Sequence, residues 1–148
     1  FLNFNYTITL EELYRINRNK ICHIHGDVEH RDSEIYFGHG DTNKGANSLG
    51  YIGIEDAMEE LFEYMRKDTK KVIEEKKNFF EKLNSVKNIY TYGFSFSDVD
   101  MIYIEEIAKR IEPTNCKWYF NRYDWKNNKE NINKVKELGF KVRKSYIW

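Results

Sequence analysis

Apolar residues along this chain keep two different periods, and the switches between them outline a fold. Short apolar runs closed by glycine or polar residues read as strands, whereas stripes at three- and four-residue spacing read as helices. Runs at residues 1–5, 21–25, 35–37, 89–93 and 117–120 predict five strands, and residues 141–146 predict a last edge strand. Gly26, Gly38 and Gly93 close the second, third and fourth of these. Thr9-Leu10-Glu11-Glu12 fits a capping box and predicts a short helix ending near Arg15. Ile54, Ala57, Met58, Leu61, Phe62 and Met65 recur at helical spacing, and Val72, Ile73, Phe79, Phe80 and Leu83 continue the stripe. Charged residues at 67–71 interrupt it, which predicts one bent helix or two. Ser97-Asp98 opens a predicted helix over about 99–112, stopped by Pro113, and another over about 129–138 ends at Gly139. Residues 41–53, rich in Gly, Asn and Ser, predict a loop.

Strands alternating with helices are the signature of crossover units with parallel strands. The expectation is an α/β fold, a Rossmann-like parallel sheet with flanking helices, in a single domain over residues 1–148. The chain opens within a predicted strand and without Met, so the fold is expected to be incomplete at its N-terminus.

Composition narrows the functional classes. The 24 basic and 24 acidic side chains cancel, so no net field favours nucleic acid, membrane or an acidic partner. Two cysteines do not make a disulfide framework. No apolar run approaches the roughly 20 residues that span a bilayer. A cytoplasmic protein without membrane partners is expected, with self-association left open.

Ligands of parallel sheets bind beyond the carboxyl ends of the strands. Asn5, His25, His39 and Ser95 all follow predicted strands. His25-Gly26 offers a proton-transfer group beside a glycine that admits a ligand; a hydrogen-bonded histidine in a turn explains it as well. Asn5 can bond ribose hydroxyls or stabilise a turn. Gly93-Phe94-Ser95-Phe96-Ser97-Asp98 joins a strand to a helix whose free amides suit phosphate or ribose oxygens. Asp100, in the first helical turn, is also accounted for by the helix dipole. Cys22, His23, His25, His30 and His39 form a loose group, but neither a C-x-x-C pair nor H-E-x-x-H is present and no metal site is expected. A serine hydrolase is disfavoured because Ser97 stands where a nucleophile elbow needs its second glycine, and no histidine follows His39. Trp118, Tyr119, Phe120, Tyr123 and Trp125 beside Arg122 and lysines could stack on bases, but read first as a core strand followed by an aromatic loop.

Taken in order, Phe4-Asn5-Tyr6-Thr7, Ile24-His25-Gly26, Phe37-Gly38-His39-Gly40 and Tyr92-Gly93-Phe94-Ser95 with Asp98 and Asp100 resemble the bacteriophage abortive-infection AbiH family over most of the chain. Phe94 stands where that family more often carries His. The family is itself similar to the sirtuin-like NAD-binding fold. The resemblance implies a phage-defence protein that binds NAD or a related nucleotide and cleaves it. His25 would match the catalytic His, as general base or as the group that positions ribose hydroxyls. Asn5 would orient the ribose or a water, and Gly93 and Ser95 would contact the other ribose and phosphate. Gly26, Thr7 and Asp100 would be further nucleotide contacts, although Thr7 stands about where sirtuins carry Asp. The Gly-rich turn that cradles the diphosphate in sirtuin-like domains is absent here, so upstream sequence is expected to complete the site. A phage protein would be the trigger. The alternative is a non-catalytic sensor or scaffold that binds a phage protein or a nucleic acid.

Overall fold

The structure, a computed structural model, describes residues 1–39, 60, 61 and 63–146. The expected loop at 41–53 and the helical positions Ile54, Ala57, Met58 and Phe62 lie outside the described residues. The chain divides into two compact units, Phe1–Glu74 and Glu75–Trp148. Both carry parallel strands, so the fold is α/β with small parallel sheets. No helix among the described residues is long and apolar enough to cross a membrane.

In the first unit, β1 (Leu2–Asn3) pairs in parallel with β2 (Cys22–His23), with Leu2 opposite Cys22 and Asn3 opposite His23. The backbone amides of Cys22 and Ile24 donate to the carbonyls of Phe1 and Asn3 at 2.8 and 3.0 Å. Helix α1 (Thr9–Glu12) lies between them and is shorter than expected. Its N-cap is Ile8, not Thr9, and no side chain caps it. The Thr9 hydroxyl lies 2.9 Å from that of Thr7 instead, so the expected capping box does not form. The expected strand at 35–37 is also absent. The Tyr36 amide donates to the His25 carbonyl at 3.0 Å, but the Tyr36 carbonyl accepts the Tyr6 hydroxyl at 2.9 Å. A side chain thus occupies an acceptor that a ladder would use. The helical stripe is broken at 66–68, where Arg66 forms an isolated bridge with His39, and resumes as α2 (Thr69–Glu75); α3 (Lys77–Glu81) continues it in the second unit.

In the second unit, β3 (Asn88–Thr91), β4 (Lys117–Phe120) and β5 (Lys141–Lys144) form a parallel sheet in the order β3-β4-β5. Alternation along β4 sends Trp118 and Phe120 into the core, where they are 2% and 0% exposed. Tyr119, of opposite parity, stacks on its register partner Tyr90 with ring centroids 4.7 Å apart. Trp118 meets Phe140 edge-on at 5.0 Å, and Phe96 stacks on Phe120 at 5.5 Å. Burying a ring system as large as Trp118 removes roughly 200 Å² from water, worth about 5 kcal/mol by area.

Helix α4 (Asp98–Arg110) fits its sequence closely: acids in the first turn, Lys109 and Arg110 in the last, and Tyr103, Ile104 and Ile107 buried on one stripe. Ser97 is its N-cap, though the Ser97 hydroxyl donates to the Asp100 carboxylate at 2.9 Å and its oxygen accepts no backbone amide. The segment expected as an aromatic loop is instead a helix, α5 (Arg122–Asn127). Asn121 caps it by accepting the Asp124 amide at 3.0 Å, while its amide group donates to the Asp124 carboxylate. Helix α6 (Lys129–Glu137) follows and ends at Gly139, whose φ of +91° is the left-handed turn that a helix-terminating glycine supplies.

Candidate functional site

The first unit gathers its polar side chains where β1 and β2 end. Asn3 and His23, opposite one another in the register, are both buried. The Asn5 amide donates to Asn3 Oδ1 at 3.0 Å, which fixes the orientation of the Asn3 side chain. Asn3 Nδ2 therefore donates to His23 Nδ1, at 3.3 Å, and also faces the Thr7 carbonyl at 3.3 Å. With Nδ1 accepting, His23 carries its proton on Nε2 and donates it to Glu11 Oε1 at 2.8 Å. Arg18 Nη1 reaches the same oxygen at 3.3 Å. Glu11 Oε2 is buried with no hydrogen-bond partner among the described residues. Burial alone would raise the Glu11 carboxyl; hydrogen bonds from His23 and the backbone, with the charge of Arg18, outweigh it and hold the carboxyl below its ordinary value.

Arg18 also links this group to Asp27, whose side chain is wholly inaccessible. Arg18 Nη2 donates to Asp27 Oδ2 at 2.6 Å. Asp27 Oδ1 accepts His30 Nδ1 at 2.6 Å and the amides of His30 and Glu29 at 3.0 and 3.2 Å. Burial pushes this carboxyl upward, but the hydrogen bonds from Arg18 and His30 and the charge of Arg18 prevail and hold it far below the usual carboxylate range.

His25 lies two residues beyond β2, in a turn, as Asn5 lies two residues beyond β1. The two strands are parallel, so both residues follow the same edge. Asn5 is exposed, and its side chain makes no hydrogen bond among the described residues. His25 is 3% exposed. Phe4 meets its ring edge-on at 5.6 Å and Tyr6 lies tilted at 6.0 Å. Lys67 Nζ, itself buried, stands 3.4 Å from His25 Nδ1. An ammonium can only donate, so this contact makes Nδ1 the acceptor and leaves the ring proton on Nε2. Gly26 follows with φ +79°, and the atom nearest to an added Cβ is the carbonyl oxygen of Glu34. Thr7 is exposed.

The other expected contacts belong to the second unit. Gly93, with φ +64°, has open space where a Cβ would stand, and Ser95 is exposed. Between Ser95 and the helix, Phe96 is buried at φ +55°, a left-handed conformation unusual for an aromatic residue. Lys134 Nζ donates to the Phe96 carbonyl at 3.1 Å. Asp100 accepts the Ser97 hydroxyl. Sequence reasoning missed Asn3, Glu11, Arg18, Asp27 and Lys67. Of these, only Asn3 carried a usable signal, since it shares strand parity with Asn5.

Fold and site together define an α/β fold with parallel strands and a partly buried, charged, histidine-containing cluster at their carboxyl edge. The chain belongs to the bacteriophage abortive infection AbiH family, whose model matches residues 1–122. That membership supports a role in abortive infection by bacteriophage. No curated protein and no solved structure matches the chain.

Proposed function

We propose that the first unit binds NAD or a related nucleotide at the carboxyl edge of β1 and β2, and that the ligand is hydrolysed at the bond between ribose and nicotinamide. The observation that carries this reading is the matched position of Asn5 and His25, each two residues past the register pair Asn3 and His23. Ligand sites of parallel sheets lie on that edge. The Asn5 side-chain amide, uncommitted among the described residues, has both a donor and an acceptor to offer a ribose. Lys67 bears on which of the two roles His25 takes. With the ring proton on Nε2, His25 donates to a ribose hydroxyl and orients it; it is not a base at that nitrogen. Thr7 and Gly26 are the further nucleotide contacts of this unit in the proposal.

The test is release of nicotinamide from NAD, followed beside calorimetric titration with NAD and ADP-ribose. His25→Ala should lower turnover by about a hundredfold or more. Lys67→Met removes the ammonium from Nδ1, lets the proton move there, and should change the pH profile of turnover more than ADP-ribose affinity. Unchanged turnover in His25→Ala would sink the proposal. A second reading rests on the burial of His25. A ring packed between Phe4 and Tyr6 also suits a non-catalytic sensor or scaffold that binds a phage protein. Absence of both nucleotide binding and turnover would favour it.

A further inference from the structure

The second unit has a cleft of about 570 Å³ lined by Arg122, Trp125, Lys126, Lys129 and Lys144. The chain as a whole has equal numbers of basic and acidic residues, yet every charged residue of this lining is a cation. Among the described residues, none of the four has a carboxylate partner. Cations elsewhere do: Lys134, further along α6, lies 3.5 Å from Asp98 and 3.4 Å from Glu130, and Arg110 lies 2.7 Å from Glu106. The carboxylate within α5, Asp124, is buried and bonded to Asn121 and Asn128. Four unneutralised like charges around one cleft repel each other and attract a polyanion.

Aromatic faces stand among these charges. Lys129 Nζ donates to the Trp125 carbonyl at 2.9 Å and lies 5.4 Å from the centre of its ring. Lys144 Nζ lies 5.7 Å from the centre of the Tyr146 ring, which is 89% exposed. Position agrees with a ligand site as well. Lys144 is the register partner of Phe120, and Arg122 comes two residues after Phe120, so both mark the carboxyl edge of β4 and β5.

We propose that this cleft binds single-stranded nucleic acid, with phosphates on Arg122, Lys126, Lys129 and Lys144 and bases stacked on Trp125 and Tyr146. Alternating cations and ring faces are the means by which proteins hold single strands. Phosphates and the faces of bases are common to every sequence, so binding through them tolerates sequence. The site is independent of the nucleotide site proposed at His25. Trp118 and Phe120 are core, as the reading of a core strand expected, and the rings proposed to stack lie beyond β4.

Fluorescence anisotropy of a labelled oligothymidylate of about 12 nucleotides tests the proposal on the intact chain. Binding should weaken with salt, with a logarithmic slope of about −3 if all four cations engage phosphates. Arg122→Glu with Lys126→Glu, both at exposed positions, should lower affinity at least tenfold. The same net charge change made at exposed Lys70 and Lys82 should lower it less than threefold. Trp125→Ala should lower affinity about fivefold or more, and Lys126→Gln, which removes no packing, should reproduce part of the charge effect. Failure to bind at low salt, equal losses from the two double reversals, or equally tight binding of a duplex would each overturn the proposal.

Discussion

Asp27→Ala should lower the unfolding free energy by about 3–4 kcal/mol, read from urea denaturation near neutral pH. The carboxylate is wholly inaccessible and accepts four hydrogen bonds: from Arg18, from the His30 ring, and from the amides of His30 and Glu29. Alanine leaves the amides of His30 and Glu29 without their acceptor, whereas the half-exposed side chains of Arg18 and His30 recover part of the loss from water. Asp27→Asn should fall between, because its carbonyl still accepts the amide bonds while its NH₂ faces the Arg18 donors. The pH dependence has a definite sign. The folded carboxyl is held below its unfolded value, so its contribution is complete above the ordinary aspartate range. It is lost as pH falls below about 4 and continues to be lost further down. The wild type should therefore lose stability in acid more steeply than Asp27→Ala. Parallel acid profiles for the two proteins would mean that the buried network contributes nothing net.

Gly26→Ala should cost about 3 kcal/mol, and Gly93→Ala only about 1 kcal/mol. Both glycines have positive φ, so the conformational strain of a side chain is common to them. Their surroundings differ. A Cβ on Gly26 would stand 2.1 Å from the Glu34 carbonyl oxygen and 3.1 Å from Ser33 Oγ, whereas one on Gly93 meets nothing within 4 Å. Relief at Gly26 requires backbone movement between His25 and Asp27, so the nucleotide binding proposed for this edge should weaken along with stability. Thermal denaturation of both variants decides the matter; equal losses would show that strain alone, and not the approach of Glu34, fixes glycine at position 26.

The second unit was largely legible in the sequence, because its signals are local. The runs that became β3 and β4, the acidic start and basic end of α4, and Gly139 each report the structure of their own neighbourhood. The first unit was harder. β1 and β2 shrink to two residues each, since the chain leaves the ladder to make side-chain bonds such as Tyr6 to the Tyr36 carbonyl. Helix α5 did have its signal, Asn121 followed three residues later by Asp124, but Tyr123 and Trp125 beside Arg122 and lysines read as an aromatic loop. The buried network was illegible for a different reason. Glu11, Arg18 and Asp27 are three among 48 charged side chains, and only tertiary structure selects them. Their pairing follows from the crossover between β1 and β2, which no local pattern announces.

The strand order β3-β4-β5 has a kinetic meaning. Each strand adds beside the one before it, so the sheet can grow in the direction of synthesis without threading a later strand between earlier ones. The central strand is nevertheless β4, and its far edge stays unpaired until β5 has emerged. Through that interval Trp118 and Phe120 lack Phe140 and Val142, and an apolar strand edge is open to another copy. Translation that stalls between β4 and β5 therefore leaves an intermediate open to aggregation, and delivery of the last strand closes it.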